Sequence, residues 1–290
     1  MVIGTDSETA HSDVRARLEA LDAQLHAGLI ERARLLAQVQ DADTDVADGC
    51  IQMQPGRDAD LMRQLVEEHQ GPLPLTSIEH IWRILFSAEL GRQGSFKVHL
   101  DGSAELLETL DLARFHFGFD AQLLPGADAA DVVGEVAATD DEFGIVALDD
   151  RADLPWWRGL SLKGAEIVAR LPFLVLDQRP ADMPALVIAP ASAIALKAGR
   201  DTIVYDARWS GALPGSLMMH GLEVVSFHRS ASGVDALVAV SADLSEDQIL
   251  AACAGAGATP DVLRMVGGYS SPIDVEGDAD EDFEAASAEG

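Results

Sequence analysis

The residues best suited to chemistry in this chain are arginines standing where hydrophobes should be. Read at helical spacing, residues 13 to 42 place Val14, Leu18, Leu21, Leu25, Leu29, Arg32, Leu36 and Val39 on one face, so Arg32 interrupts an apolar stripe. A guanidinium in that position has two physical solutions. Its stem can lie along the stripe while its head reaches water, or it can meet a carboxylate, from the protein or from a ligand, in a partly dry site. Two following segments repeat the pattern. Pro55 and Gly56 open a helix in which Leu61, Met62, Leu65 and Val66 share a face with Arg57 and Asp58. A third helix is predicted from Thr76, where Thr76 and Glu79 have capping-box spacing, through Ile78, Ile81, Trp82 and Leu85 to Glu89 and Gln93. Polar residues at the inner face of three consecutive helices predict a polar pocket in a helical bundle, and its arginines suit the capture of a small carboxylate.

The composition restricts what such a pocket can serve. The chain has 290 residues, enough for two or three modules. A formal charge of -29 opposes nucleic acid and anionic membranes as partners, and an anionic substrate must be held by local arginines against that field. No apolar run has the length of a membrane span, and MVIGTDSETAH has no basic segment followed by an apolar core, so a soluble cytoplasmic protein is expected. Cys50 and Cys253 are far apart, without a neighbouring cysteine or a spaced histidine pair, so neither a disulfide framework nor a zinc site is expected. No cofactor motif stands out. The AGAGA stretch around Gly255 and Gly257 does not follow a strand, and packing or a helix end explains it better than a dinucleotide loop.

The elements that must position these residues change in texture along the chain. Residues 1–12 are predicted to be disordered and 13–95 helical. Over 96–200 the pattern becomes short strands and helices: FKVHL, a helix near 103–117, DAQLLP, a helix near 128–138, FGIVALDD, and the apolar runs AEIVARLPFLVLD and ALVIAP, together a parallel α/β unit. Trp156 and Trp157, in the loop between, are expected to pack in the core. Residues 201–272 read as strand, helix Leu213–His220, two strands, helix Ser245–Ala254 and a last strand, the βαββαβ order of a ferredoxin-like module. His228 and Arg229 on it could face a small anion, with a surface or interface role the better reading. The stretch 273–290 holds eight acidic residues and no basic one, and is predicted to be a solvated tail.

The helical segments RARLEALDAQLHAGLIERARLLAQV, PGRDADLMRQL and IWRILFSAELGRQ resemble the all-α class of chorismate mutase over about 80 residues. The whole layout resembles the bifunctional chorismate mutase/prephenate dehydratase with its terminal ACT domain. The fold class implied is multidomain, α plus α/β: a three-helix mutase-like domain forming a helix-swapped homodimer, a partial dehydratase-like lobe, and an ACT-like βαββαβ module. The activity implied is rearrangement of chorismate to prephenate, a pericyclic shift in aromatic amino acid biosynthesis that needs no cofactor, metal, acid or base. By this resemblance Arg15, reaching across the dimer, and Arg32 and Arg57 from within the subunit bind the carboxylates. Asp58 takes the hydroxyl, Gln93 donates to the ether oxygen, and Glu89 lines the site where the family has Ser.

Three departures accompany the resemblance. Asp43 stands where the family has a lysine at the carboxylate and ether oxygen, with Arg92 or Arg83 as replacements from the third helix. Gln54 replaces an acidic residue. In the middle region Pro184, Ala185 and Leu186 occupy the place of the dehydratase Thr-Arg-Phe motif, so dehydratase activity is expected to be lost and the lobe to be structural. In GALPGSLMMHGLEVVSFHRS, Pro214 replaces a motif Val and Phe227–Ser230 replaces Glu-Ser-Arg-Pro, which argues against an amino-acid effector at the ACT-like module. The other reading left open is a catalytically silent mutase-fold protein that dimerises and binds a small regulatory ligand.

Overall fold

The computed structural model describes residues 5–42, 51–177, 179–194 and 199–275. The chain divides into two compact units, Met1–Asp48 and Gly49–Gly290.

In the first unit a single helix, α1, runs over Thr5–Ala42. It begins earlier than the sequence reading, which had residues 1–12 disordered. The segment from Thr5 to Ala42 has no proline and one glycine, Gly28, so nothing stops propagation toward the N-terminus. Its stripe is not a buried face. Val14, Leu18, Leu21, Leu25 and Leu29 are all exposed, and among the described side chains of α1 only Arg32, Leu36 and Ala37 are half-buried.

The second unit opens with α2 (Pro55–Glu68) and α3 (Leu75–Gln93). Then come β1 (Lys97–Leu100), α4 (Leu106–Phe117), β2 (Gln122–Pro125), α5 (Ala129–Ala137) and β3 (Glu142–Ala147). A 3-10 turn, Trp156–Gly159, precedes β4 (Ala165–Leu171), β5 (Leu174–Val175) and β6 (Ala185–Pro190). The last part holds β7 (Thr202–Trp209), β8 (Leu222–Ser230), β9 (Gly233–Ser241), α6 (Glu246–Ala256), β10 (Val262–Tyr269) and β11 (Ile273–Asp274). Among the described residues no helix is long and apolar enough to cross a membrane.

Nine strands form one mixed sheet in the order β2-β1-β3-β6-β4-β10-β7-β9-β8. Only β1, β2 and β3 make the expected parallel group; β6 is antiparallel to both β3 and β4. The error has a simple origin: a strand buried on both faces is an unbroken apolar run in either direction. Alternation along β3 and β6 separates two cores. Phe143, Ile145, Ala185 and Val187 face Leu112 and Phe117 of α4, whereas Val146, Leu186 and Ile188 face Val132 and Val136 of α5. The second core also takes Trp157, Leu160, Val204, Leu237 and Val266, because the sheet curls until the loop after β3 reaches its far edge. There Arg151 bridges to Phe227, with Phe227 N donating to Asp150 O at 2.9 Å and Ala152 N to Phe227 O at 3.0 Å.

The sequence reading needs further correction at three elements. The helix expected over Leu213–His220 is only a 3-10 turn at Met218–His220, since Pro214 and Gly215 interrupt the segment. AEIVARLPFLVLD is two strands, ending and restarting around Pro172. Ile273–Asp274, placed in the solvated tail, pairs in parallel with Leu174–Val175, and 276–290 lie outside the described residues. Gly257, with φ 122, caps α6, whose Ser245 and Gln248 form a reciprocal capping box.

Candidate functional site

The polar residues of α2 and α3 meet near the start of α2. Arg57 Nη1 donates to Gln54 Oε1 at 3.2 Å and lies 3.5 Å from Glu89 Oε2 on α3. Glu89 is well covered while Arg57 is largely open to solvent, so the guanidinium presents a cationic face outward with a carboxylate behind it. Gln93 closes the group. Its Oε1 accepts from Gln52 N at 2.7 Å, and its Nε2 donates to Gln52 O at 3.2 Å and Glu89 O at 3.4 Å. Both ends of this amide therefore fasten the segment before α2 to the last turn of α3, and it must release a backbone carbonyl before it can donate to a ligand.

Asp58 points elsewhere. It lines a crevice of about 30 Å³, room for roughly one water, together with Arg83, His116, Arg170, Phe173 and Ser270. The sequence reading put Glu79 in a capping box with Thr76. Instead α3 starts at Leu75 without a side-chain cap, and Glu79 is buried, 3.1 Å from Arg179 Nη2 and 3.9 Å from Arg83 Nε. The buried face of α3 is accordingly Glu79, Arg83, Phe86, Ser87 and Leu90, rotated from the expected Ile78, Ile81 and Leu85 face. Ion pairing is what lets the charges turn inward, and Phe86 and Phe173 flank the Arg83 guanidinium at 6.0 and 5.9 Å.

Burial pushes the Glu79 carboxyl up, against the pull of Arg83 and Arg179. Burial, with Arg83 adding to it, holds His116 well below the ordinary imidazole range, so this histidine is neutral. Arg83 is thus committed to Glu79 and the Asp58 crevice and away from Arg57, Glu89 and Gln93. Arg92 is exposed in the last turn of α3.

Of the expected site residues, the structure brings together Arg57, Glu89 and Gln93, turns Asp58 to the neighbouring crevice, and carries Arg15 and Arg32 on α1 in the other unit. Arg15 is exposed and Arg32 half-buried. Asp43 and Cys50 lie outside the described residues.

Against known proteins, no family model matches the chain. Two curated proteins do. Over 143 residues it is 25% identical to the bifunctional chorismate mutase/prephenate dehydratase of Stutzerimonas stutzeri and 27% identical to that of Pseudomonas aeruginosa. The chain is a distant homologue of that bifunctional enzyme. It is thereby related to enzymes of aromatic amino acid biosynthesis. The match takes in 48% of this chain and 39% of each relative, so the chain spans about two fifths of their length. Among solved structures, a quorum quenching acylase, GqqA, aligns at TM-score 0.38 and 11% identity over 61% of this chain and 95% of its own. Prephenate dehydratase from Streptococcus mutans aligns at TM-score 0.36 and 14% identity, over 61% and 98%.

A larger cavity was not foreseen from the sequence. About 420 Å³ in volume, it lies beyond the carboxyl ends of β1 and β3, lined by Asp101, Ser103, Asp128, Asp149, Arg151 and Asp153, with Trp156 as an apolar wall. No motif marks it, because its side chains come from three loops that only the folded sheet brings together.

Proposed function

We propose that this protein is a chorismate mutase that has lost dehydratase activity. The observation that carries the reading is the cluster in which Arg57 of α2 stands beside Glu89 and Gln93 of α3, the residues that the homologous fold would use from those two helices. The reaction asks little of a protein beyond holding a flexible dianion in a compact conformation and stabilising charge that develops on the ether oxygen. In the proposed roles Arg15, Arg32 and Arg57 bind the carboxylates, Asp58 takes the hydroxyl, and Gln93, once released from Gln52 O, donates to the ether oxygen. The exposed apolar stripe of α1 suits a homodimer joined through that helix.

Loss of the dehydratase step is supported within β6. Where the homologous lobe has Thr-Arg-Phe, this chain has Pro184 followed by Ala185 and Leu186, both fully buried, which offer no polar side chain to a substrate. The antiparallel order β10-β7-β9-β8 with α6 on one face supports an ACT-like reading of the last module, without an assigned effector.

Continuous loss of chorismate absorbance, with wild type, Arg32→Ala and Arg57→Ala, tests the proposal. Saturable turnover in wild type that falls in both variants is the expected result. A second reading, a catalytically silent dimer, is favoured by the double engagement of Gln93 with Gln52. Wild-type turnover equal to the uncatalysed rate, in a folded protein, would select it.

A further inference from the structure

The cavity beyond β1 and β3 lies where ligands collect in α/β sheets. The connection from β1 leads to α4 on one face and that from β3 to the Trp156–Gly159 turn on the other, so a crevice opens between diverging loops. Its volume of about 420 Å³ is that of a small-molecule site. The polar lining is four carboxylates against the single guanidinium of Arg151.

Asp101 is the buried member, 4% exposed. Its Oδ1 accepts from Ser103 N at 3.0 Å and Ser103 Oγ at 2.6 Å, while Oδ2 accepts no hydrogen bond from the described residues. At the entry to α5 the protein's own carboxylates cap two amides, one just before the helix and one in its first turn. Asp128 Oδ1 accepts from Asp131 N at 2.9 Å, and Asp131 Oδ2 accepts from Ala127 N at 2.9 Å. The opposite wall is held in place by the far edge of the sheet: Ser226 Oγ donates to Asp149 O at 2.6 Å, and His228 Nδ1 lies 3.1 Å from Ala152 O. The carboxylates of Asp149 and Asp153 are therefore carried on a fixed loop, which lowers the ordering cost of binding.

We infer that this crevice binds a small organic cation, a primary amine or diamine, through Asp101, Asp149 and Asp153. An anion entering it would meet four carboxylates and one guanidinium within a chain of net charge -29. A metal ion is a poorer fit, because among the described residues no three acidic, histidine or cysteine side chains converge closely enough to hold one. An ammonium needs only one or two carboxylates at hydrogen-bond distance, and Asp101 Oδ2 is open for one of them. The inference stands apart from the mutase reading, which concerns α1, α2 and α3.

The test is isothermal titration of the full-length protein with 1,4-diaminobutane and, separately, with succinate as a dicarboxylate of matched length, at 0.15 M and 0.5 M salt. One saturable diamine site at both salt concentrations, with no heat from succinate, is expected. Asp101→Asn and Asp153→Asn should each weaken it at least tenfold. The charge-matched pair Glu67→Gln with Glu108→Gln, on exposed faces of α2 and α4, should leave it unchanged. Asp153 makes no hydrogen bond within the described residues, so its variant remains informative if Asp101→Asn unfolds. Succinate binding, absence of a saturable diamine site, or equal weakening by the charge-matched pair would overturn the inference, the last by showing only a diffuse attraction to an acidic surface.

Discussion

The helical cluster and the sheet crevice oppose each other in sign within one acidic chain. At the cluster a single guanidinium, Arg57, faces outward with Glu89 and Gln54 behind it. At the crevice four carboxylates surround Arg151, and Asp128 and Asp131 cap the entry to α5. Net charge predicts neither arrangement. At a Debye length of about 8 Å the two sites are governed by their own side chains, so one chain can present a carboxylate-binding surface and an ammonium-binding crevice. They also differ in how they are held. The cluster depends on side-chain bonds of Gln93 and on a buried ion pair beneath α3, whereas the crevice depends on backbone loops fixed by the sheet.

The contrast can be broken most severely beneath α3. Glu79→Ala leaves Arg179, whose side chain is 2% exposed, without its carboxylate. Breaking a buried pair from one side costs about 3–5 kcal/mol, so denaturant unfolding should show a loss of that size. An unchanged midpoint would mean that Arg179 relaxes to water. Arg57→Ala is next: loss of one preorganised donor corresponds to roughly a hundred- to a thousandfold in turnover, with diamine binding intact. A variant that lost both would show the two sites to be coupled.

Gly102→Ala reverses the pattern. A Cβ at Gly102 would lie 2.0 Å from Gly126 O, backbone against backbone, so the loops after β1 and β2 must separate. Overpacking of this kind costs about 1–3 kcal/mol. Diamine affinity should drop at least tenfold as Asp101 moves away from Asp149 and Asp153, and chorismate turnover should stay at the wild-type rate. Titration calorimetry and the absorbance assay on the same preparation read the two effects together.

These sites were unequally legible in the sequence. Arg57, Glu89 and Gln93 could be read because one helix–turn–helix brings them together and short-range spacing fixes which of them meet. The inward face of α3 was misread because Glu79 was assigned to a capping box and Arg83 to the substrate pocket; Arg179, far along the chain, makes the burial of Glu79 tolerable, and periodicity carries no information about it. The α1 stripe shows the reverse limit. Its spacing predicts a buried face, yet Val14, Leu18, Leu21, Leu25 and Leu29 are exposed. The crevice was illegible for a topological reason: Asp101, Asp128 and Asp149 converge only after β2 and β3 have added to opposite edges of β1.

The smallest expected effect sharpens the description of the helical side. His116 is neutral in the folded protein because burial, and then Arg83, disfavour its charged form, whereas in the unfolded chain it titrates near pH 6.5. As the pH falls below about 6.5 the unfolded state binds a proton that the folded state refuses, so His116 contributes stability at neutral pH that declines toward acid. Glu79 acts in the opposite direction, since burial raises its carboxyl and the folded state takes up its proton first. The measurement is therefore a difference. Unfolding midpoints of wild type and His116→Phe between pH 8 and 5 share the Glu79 contribution, and the variant should lose less stability on acidification. Parallel pH profiles would show that His116 finds water or a carboxylate in the folded state, and with it that the Asp58–Arg83 crevice is wetter than its volume of about 30 Å³ implies.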